Sequence, residues 1–219
     1  MEKQRNSNCW YFQVCQDDCF MCKTYLELKW QMDNSGLPAK LQRPIDMYLS
    51  DVNRVDKKAY ERLKAIRKDI VQHVKDGDNF YLCGRAGNGK TSWAIKILQT
   101  YLHFKASGNY EKLQGMFVSV ADLLIKLKDF DNPVTKEFRD NLEEVPLVVW
   151  DDICITNLSK YDYSQFYTLI NNRMLAGKSN IFTTNISDKE TLEDVFGERL
   201  VSRIYGSSEI IELKGGDMR

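Results

Sequence analysis

Residues 84–91 read Gly-Arg-Ala-Gly-Asn-Gly-Lys-Thr and fit the pattern GxxxxGK(S/T). No other stretch constrains the fold so tightly, because this loop functions only between a buried strand and the first turn of a helix. Gly84, Gly87 and Gly89 let the backbone turn without Cβ clashes, so that successive N–H groups can face an anion. Arg85, Ala86 and Asn88 fill the remaining loop positions. Lys90 adds a point charge for a polyphosphate and Thr91 a hydroxyl for Mg2+; Ser92 follows in the helix, whose positive dipole end faces the same anion. The flanks agree with this reading. Residues 79–83 (Asn-Phe-Tyr-Leu-Cys) suit a buried strand, and residues 92–101 carry Trp93, Ile97 and Tyr101 at helical intervals of four.

Beyond the loop, helical and strand patterns alternate, which implies an α/β fold with a parallel sheet. Residues 116–120 form a strand candidate and 121–130 a helix candidate with Leu123, Leu124 and Leu127. Asn132-Pro133 interrupts, and a second helix is expected over 134–142. Pro146 then opens Leu147-Val148-Val149-Trp150-Asp151-Asp152. Four consecutive apolar residues suit a strand buried on both faces, and such a strand delivers its functional groups at its carboxyl edge. Asp151 is thus placed to hold Mg2+ with Thr91, and Asp152 to orient or deprotonate an attacking water. The next helix, 164–176, is expected to bury Phe166, Leu169, Ile170 and Leu175. A strand over 180–185 finishes in Asn185, an uncharged amide able to sense a γ phosphate. Together these motifs imply hydrolysis of a nucleoside triphosphate.

Lys plus Arg and Asp plus Glu balance at 31 each, and residues 1–50 hold six of each sign. Neither part is a basic arm, so any nucleic-acid contact must come from a local patch or an assembled surface. No apolar run is long enough to span a bilayer, and the polar residues 1–8 do not resemble a signal peptide; a soluble, cytoplasmic protein without a membrane partner is expected. Cysteine use is uneven. Cys9, Cys15, Cys19 and Cys22 fall within 14 residues, while Cys83 and Cys154 lie beside strand candidates. Four thiolates so close together can close a tetrahedral Zn2+ site, around which Trp10, Tyr11, Phe12 and Phe20 would pack. Asp33-Asn34-Ser35-Gly36, Pro38 and Pro44 read as a linker. Two domains are expected: 1–45, cysteine-rich with its linker, and 46–219, the nucleotide domain. The latter begins with an amphipathic helix, 55–74, that stops at Asp76-Gly77 and turns its basic residues to solvent.

The order GRAGNGKT, LVVWDD, IFTTN and GERLVSRIY (197–205) resembles the AAA+ ATPases, most closely the bacterial and phage helicase loaders of the DnaC and DnaI type, over residues 51–219. The cysteine-rich beginning is similar to DnaI-like members, where a zinc-bearing domain docks on the replicative helicase. The resemblance implies a three-layer sandwich with a parallel five-stranded sheet in the order 5-1-4-3-2, no lid domain, and ATP bound between subunits of a ring or spiral. It also implies delivery of a hexameric replicative DNA helicase to single-stranded DNA. Carried over by motif, Arg203 takes the arginine-finger position, with Arg199 a second candidate; Arg173 also matches a recurring family position, although an exposed helix residue is the simpler reading. Lys126, Lys128, Lys136 and Arg139, with Phe130 and Phe138, lie where relatives contact DNA. Three departures stand out. Cys154 replaces a common Gly after the acidic pair, Asp217 replaces Ser in the terminal Gly-x-Ser-x-Arg pattern and leaves Arg219 without a clear role, and too few residues follow the last strand for a lid. A transposition helper of the IstB type, a small P-loop kinase and a nucleotide-switched adaptor are the alternatives.

Overall fold

The computed structural model describes residues 22–42, 55–106, 112–129, 132–153 and 159–217. Cys9, Cys15, Cys19, Phe130, Cys154, Arg219 and the expected 45/46 domain boundary lie outside those residues.

Five strands, β1 (Asn79–Gly84), β2 (Gly115–Ser119), β3 (Leu147–Asp151), β4 (Ser179–Thr184) and β5 (Ser208–Leu213), form one sheet in the order β2-β3-β4-β1-β5. All four pairings are parallel. Side chains alternate across each strand, so the sheet has two buried faces. Phe80, Leu82, Leu147, Val149, Ile181, Ile211 and Leu213 face one core, which is covered by α1 (Lys23–Asn34), α2 (Lys57–Lys68), α3 (Ile70–Asp76) and α4 (Lys90–Lys105). Tyr81, Cys83, Val148, Trp150 and Phe182 face the other, covered by α5 (Val120–Lys126), α6 (Pro133–Glu144), α7 (Lys160–Leu175) and α8 (Lys189–Ser207). This is the expected three-layer AAA+ sandwich with the expected strand order. The apolar stretch Leu147–Trp150 is fully buried because helices pack on both faces of β3.

Local boundaries shift where the chain turns. The helix expected over 55–74 is two helices, divided at Asp69, whose φ and ψ of −107° and 20° leave the helical region. On the basic face of α2, Arg62 is not merely solvated: its Nε and Nη2 donate to the two carboxylate oxygens of Glu209 on β5, at 2.6 and 2.7 Å. Both partners are exposed, so the pair contributes under about 1 kcal/mol. Within α8, Gly197 at φ 73° introduces a kink just before Arg199 and Arg203.

Within the segment read as a linker, the described residues 33–38 pack on the sheet together with the helix before them. Leu28, Met32 and Leu37 join the first core. Gln31, fully buried, donates from Nε2 to the carbonyl of Lys112 and accepts from the N–H of Gln114, at 2.8 and 2.9 Å. The N–H of Phe117 on β2 donates to the carbonyl of Ser35 at 2.7 Å. The physical reason is the sheet edge. β2 is a terminal strand, and the turn after α1 occupies one of the backbone groups that it would otherwise present unpaired. Gly36 is required there: its φ is 77°, and a Cβ would lie 2.6 Å from the Phe117 carbonyl oxygen.

A second correction concerns α7. Leu175, expected inside, is 72% exposed, whereas Arg173, expected outside, is 0% exposed. Phe166, Leu169 and Ile170 define the buried stripe, and position 173 continues it at i+3 and i+4, so helical geometry brings in the arginine. Its Nε donates to Asn180 Oδ1 at 2.8 Å, its Nη1 to the carbonyls of Leu142 and Val145, and its Nη2 to the carbonyl of Ser179 at 2.8 Å. Leu142 lies in the last turn of α6 and Val145 is its C-cap, so the guanidinium satisfies carbonyls that the helix end leaves open. Burial pulls its pKa down to about 9, opposed by Glu143, and it remains a cation at neutral pH.

Candidate nucleotide site

The loop between β1 and α4 carries Gly84, Gly87 and Gly89 at φ values of 133°, 80° and 89°, conformations that side chains with a Cβ rarely adopt. Beside it is a cleft of about 290 Å³ lined by Ala86, Gly87, Gly89, Lys90, Thr91, Ser92, Asp151, Asp152, Thr183, Thr184 and Asn185. The parallel sheet assembles this set. Asp151 ends β3, Thr184 ends β4 opposite Cys83 of β1, and the loop leaves β1 at the same carboxyl edge.

Hydrogen bonds order the cleft. Asp151 Oδ1 accepts from Thr91 Oγ1 and from Thr183 Oγ1, each at 2.7 Å. Thr183 Oγ1 in turn accepts from the N–H of Asp152 at 3.0 Å. One buried threonine hydroxyl therefore holds both acidic residues, donating to the side chain of one and accepting from the backbone of the next. Thr183 was not singled out from the sequence; its signal was the polar pair Thr183-Thr184 following Ile181-Phe182 at the carboxyl end of the strand. Asp152 adopts φ 52°, the sole positive φ of a non-glycine among the described residues. Its side chain is exposed and lines the cleft. The hydroxyl of Thr91 and the carboxylate of Asp151, already in contact, could hold Mg2+ directly or through water.

Lys90 is 6% exposed and donates to the carbonyls of Gly84 and Arg85 and to Asn88 Oδ1, at 2.7, 2.6 and 3.0 Å. Burial lowers its pKa, against the raising influence of Asp152, Cys83 and Asp151. Gly84, Arg85 and Asn88 do not line the cleft. The first two lend carbonyls to Lys90, while Asn88, 1% exposed, bridges Lys90 and the carbonyl of Leu213 at the end of β5. Asn185 is exposed at the cleft rim, one residue past β4.

Arg199 and Arg203 are not brought to this cleft. With Tyr167, Glu198 and Ser202 they line a separate one of about 610 Å³. Both are exposed, and neither makes an ion pair among the described residues. Beside them the rings of Tyr163 and Tyr167 stack at 6.1 Å. In the segment considered for DNA contact, Phe138 is half-buried against the second core, and Lys126 Nζ stands 4.5 Å from its ring centroid. Its face is thus occupied rather than open for base stacking. Arg139 donates to Gln165 at 3.1 Å and lies 3.6 Å from Glu143. Cys22, the described member of the cysteine cluster, is half-buried immediately before α1 and forms no disulfide. No helix among the described residues is long and apolar enough to cross a membrane.

Comparison with known proteins agrees with the geometry. Among solved structures, a DnaC helicase loader is similar at TM-score 0.63 and 23% identity, over 84% of this chain and 99% of that one. A DnaI structure is similar at TM-score 0.65 and 23% identity, over 86% and 99%. A putative primosome component from Streptococcus pyogenes serotype M3 gives 0.62 and 21%, over 84% and 92%. These likenesses establish the shared fold. No curated protein matches the sequence. The family model described as IstB-like ATP binding protein matches residues 21–219, from just before α1 through every strand of the sheet. The chain belongs to the family of IstB-like ATP-binding proteins.

Proposed function

We propose that this chain is an ATP-driven loader that binds a replicative DNA helicase, assembles with further copies of itself, and delivers the helicase to single-stranded DNA. The observation that carries the ATPase part is the division of charge between two clefts. The nucleotide cleft gathers two carboxylates, the metal-binding hydroxyl and one cation, Lys90, while Arg199 and Arg203 line another surface. Such a site binds nucleotide alone and reaches full turnover when a neighbouring subunit supplies a guanidinium.

In this reading Lys90 and the loop N–H groups bind the β and γ phosphates. Asp152 orients and deprotonates the attacking water, and Asn185 holds that water or the γ phosphate by an uncharged hydrogen bond. Thr91 and Asp151 would hold Mg2+, which neutralises charge developing on the phosphates. Arg203 completes the site of the next subunit, with Arg199 beside it. The isolated subunit is therefore slow. Arg203→Ala lowers turnover of the assembled protein at least about a hundredfold. Mixing it with Lys90→Ala subunits restores part of that activity, because one partner keeps an intact loop and the other an intact arginine. Phosphate release from the two variants separately and mixed measures this; absence of restoration would place Arg203 in its own subunit's chemistry.

The helicase and DNA parts rest on the likeness to helicase loaders and on the cysteine cluster. Four thiols at positions 9, 15, 19 and 22 suit a structural Zn2+ by donor number and softness, and Cys22 adjoins α1, which would tie the metal-bound segment to the ATPase body. The family description favours a second reading, a transposition helper of the IstB type. Native mass of the chain mixed with a replicative helicase, with and without ATP, separates them. A complex of fixed stoichiometry, lost on chelation or on deleting residues 1–21, supports the loader. Filaments of the chain alone on DNA, with the helicase free, support the transposition helper. Deletion beyond residue 21 would confuse the result, because α1 belongs to the core.

A further inference from the structure

The segment that follows β5 does not leave the domain. It is fastened at two points and brought back onto the phosphate loop. Asp56, 5% exposed just before α2, accepts from the N–H of Lys214 at Oδ1 and from the N–H of Gly215 at Oδ2, at 2.6 and 2.7 Å. Asn88 of the loop donates to the carbonyl of Leu213. Between them these contacts fix three consecutive residues, and the chain then carries Asp217 to the loop. The carboxylate of Asp217 occupies the space where a side chain on Gly87 would stand: an ideal Cβ there would lie 2.1 Å from Oδ1 and 2.7 Å from Oδ2. Gly87 itself lines the nucleotide cleft.

The loop is built to attract an anion. Its N–H groups, the positive end of α4 and Lys90 all favour negative charge at this place. Asp217 brings a resident anion to it, and Asp151 and Asp152 already contribute two more to the cleft. We infer that the segment after β5 is a latch that opposes nucleotide binding: Asp217 offsets the attraction of the phosphate loop, and the Asp56 clasp on Lys214 and Gly215 holds it there. This rests on the nucleotide-binding reading of the cleft. Anything that pulls the segment from Asp56 would raise affinity for ATP without touching a residue of the cleft.

The test uses the full chain, Mg2+ and a fluorescent ATP analogue whose anisotropy reports binding. Asp217→Asn removes the charge and keeps the shape; it is expected to lower Kd by about fivefold to tenfold. Gly215→Ala acts at a distance. Its new Cβ would fall 2.6 Å from Asp56 Oδ2, so the carboxylate must shift from its place and the clasp is loosened. It should tighten binding to a similar extent, and the double variant should bind no more tightly than Asp217→Asn alone, since both act through one carboxylate. Asp217 is exposed, so its variant folds even if Gly215→Ala does not. Unchanged or weaker binding by Asp217→Asn, with the unmodified chain binding normally, overturns the latch and leaves the ATP site intact. Failure of both chains to bind the analogue overturns the ATP-site reading and the latch together.

Discussion

Asp152→Asn is expected to reduce ATP turnover by about two to four orders of magnitude while leaving the affinity for ATP within about threefold. The expectation follows from how the two acidic residues are held. Asp151 is engaged by the hydroxyls of Thr91 and Thr183, whereas the side chain of Asp152 is exposed in the cleft and its backbone N–H donates to Thr183. Removing a carboxylate that meets the attacking water affects the chemical step. Asparagine preserves size and tolerates the φ of 52° at this position, so the backbone need not move. Phosphate release and fluorescent nucleotide binding, measured on the same preparation, check the two halves. Turnover retained by the variant would remove Asp152 from catalysis. Absence of turnover in the unmodified, assembled protein would favour a nucleotide-switched adaptor.

Arg173→Ala is expected to destabilise the domain by about 4 kcal/mol, because the carbonyls of Leu142, Val145 and Ser179 lose the guanidinium together and Asn180 Oδ1 loses one of its two donors. For a chain of this size that is a fall in melting temperature of about 10 °C. Arg173→Lys recovers little of it, since one ammonium cannot reach acceptors spread over the end of α6 and the start of β4. The network extends further. Asn180 Oδ1 also accepts from Trp150 Nε1 at 2.9 Å, and Asn180 Nδ2 donates to Asn79 Oδ1 at 2.8 Å, linking β3, β4 and β1. Thermal unfolding of the variants reads the effect. A shift of under about 2 °C would mean that water serves these carbonyls when the guanidinium is gone. The distinction from Arg203 is testable in the same assay: Arg203 is exposed on α8, and its loss should leave unfolding unchanged.

Much of the fold was legible because its local signals agree. The glycine pattern at 84–89, the apolar run 147–150 and the polar strand ends at Asp151 and Asn185 each specify a carboxyl edge, and a parallel sheet has only one such edge at which to collect them. Other features were misread because the sequence states a residue's chemistry and not its surroundings. Arg173 occupies the buried stripe of α7 by spacing, yet charge alone suggested solvent. Ser35-Gly36 reads as a turn in isolation, and only the unpaired edge of β2 explains why that turn is buried. Thr183 looks like an ordinary strand residue until β3 and β4 stand side by side.

The sequence by itself determined the class of ligand, through a loop whose N–H groups and lysine suit a polyphosphate, and the layered α/β architecture, through alternating periodicities that admit few arrangements. Tertiary structure alone decided which charges meet. It separated Arg199 and Arg203 from the cleft that holds Lys90, and it brought Asp56 and Asp217, far apart in the chain, to one segment beside Gly87. The reason is physical. Periodicity and turn chemistry act over a few residues and can be read along the chain, whereas the position of a buried or clasped charge depends on partners that only folding brings within hydrogen-bonding distance.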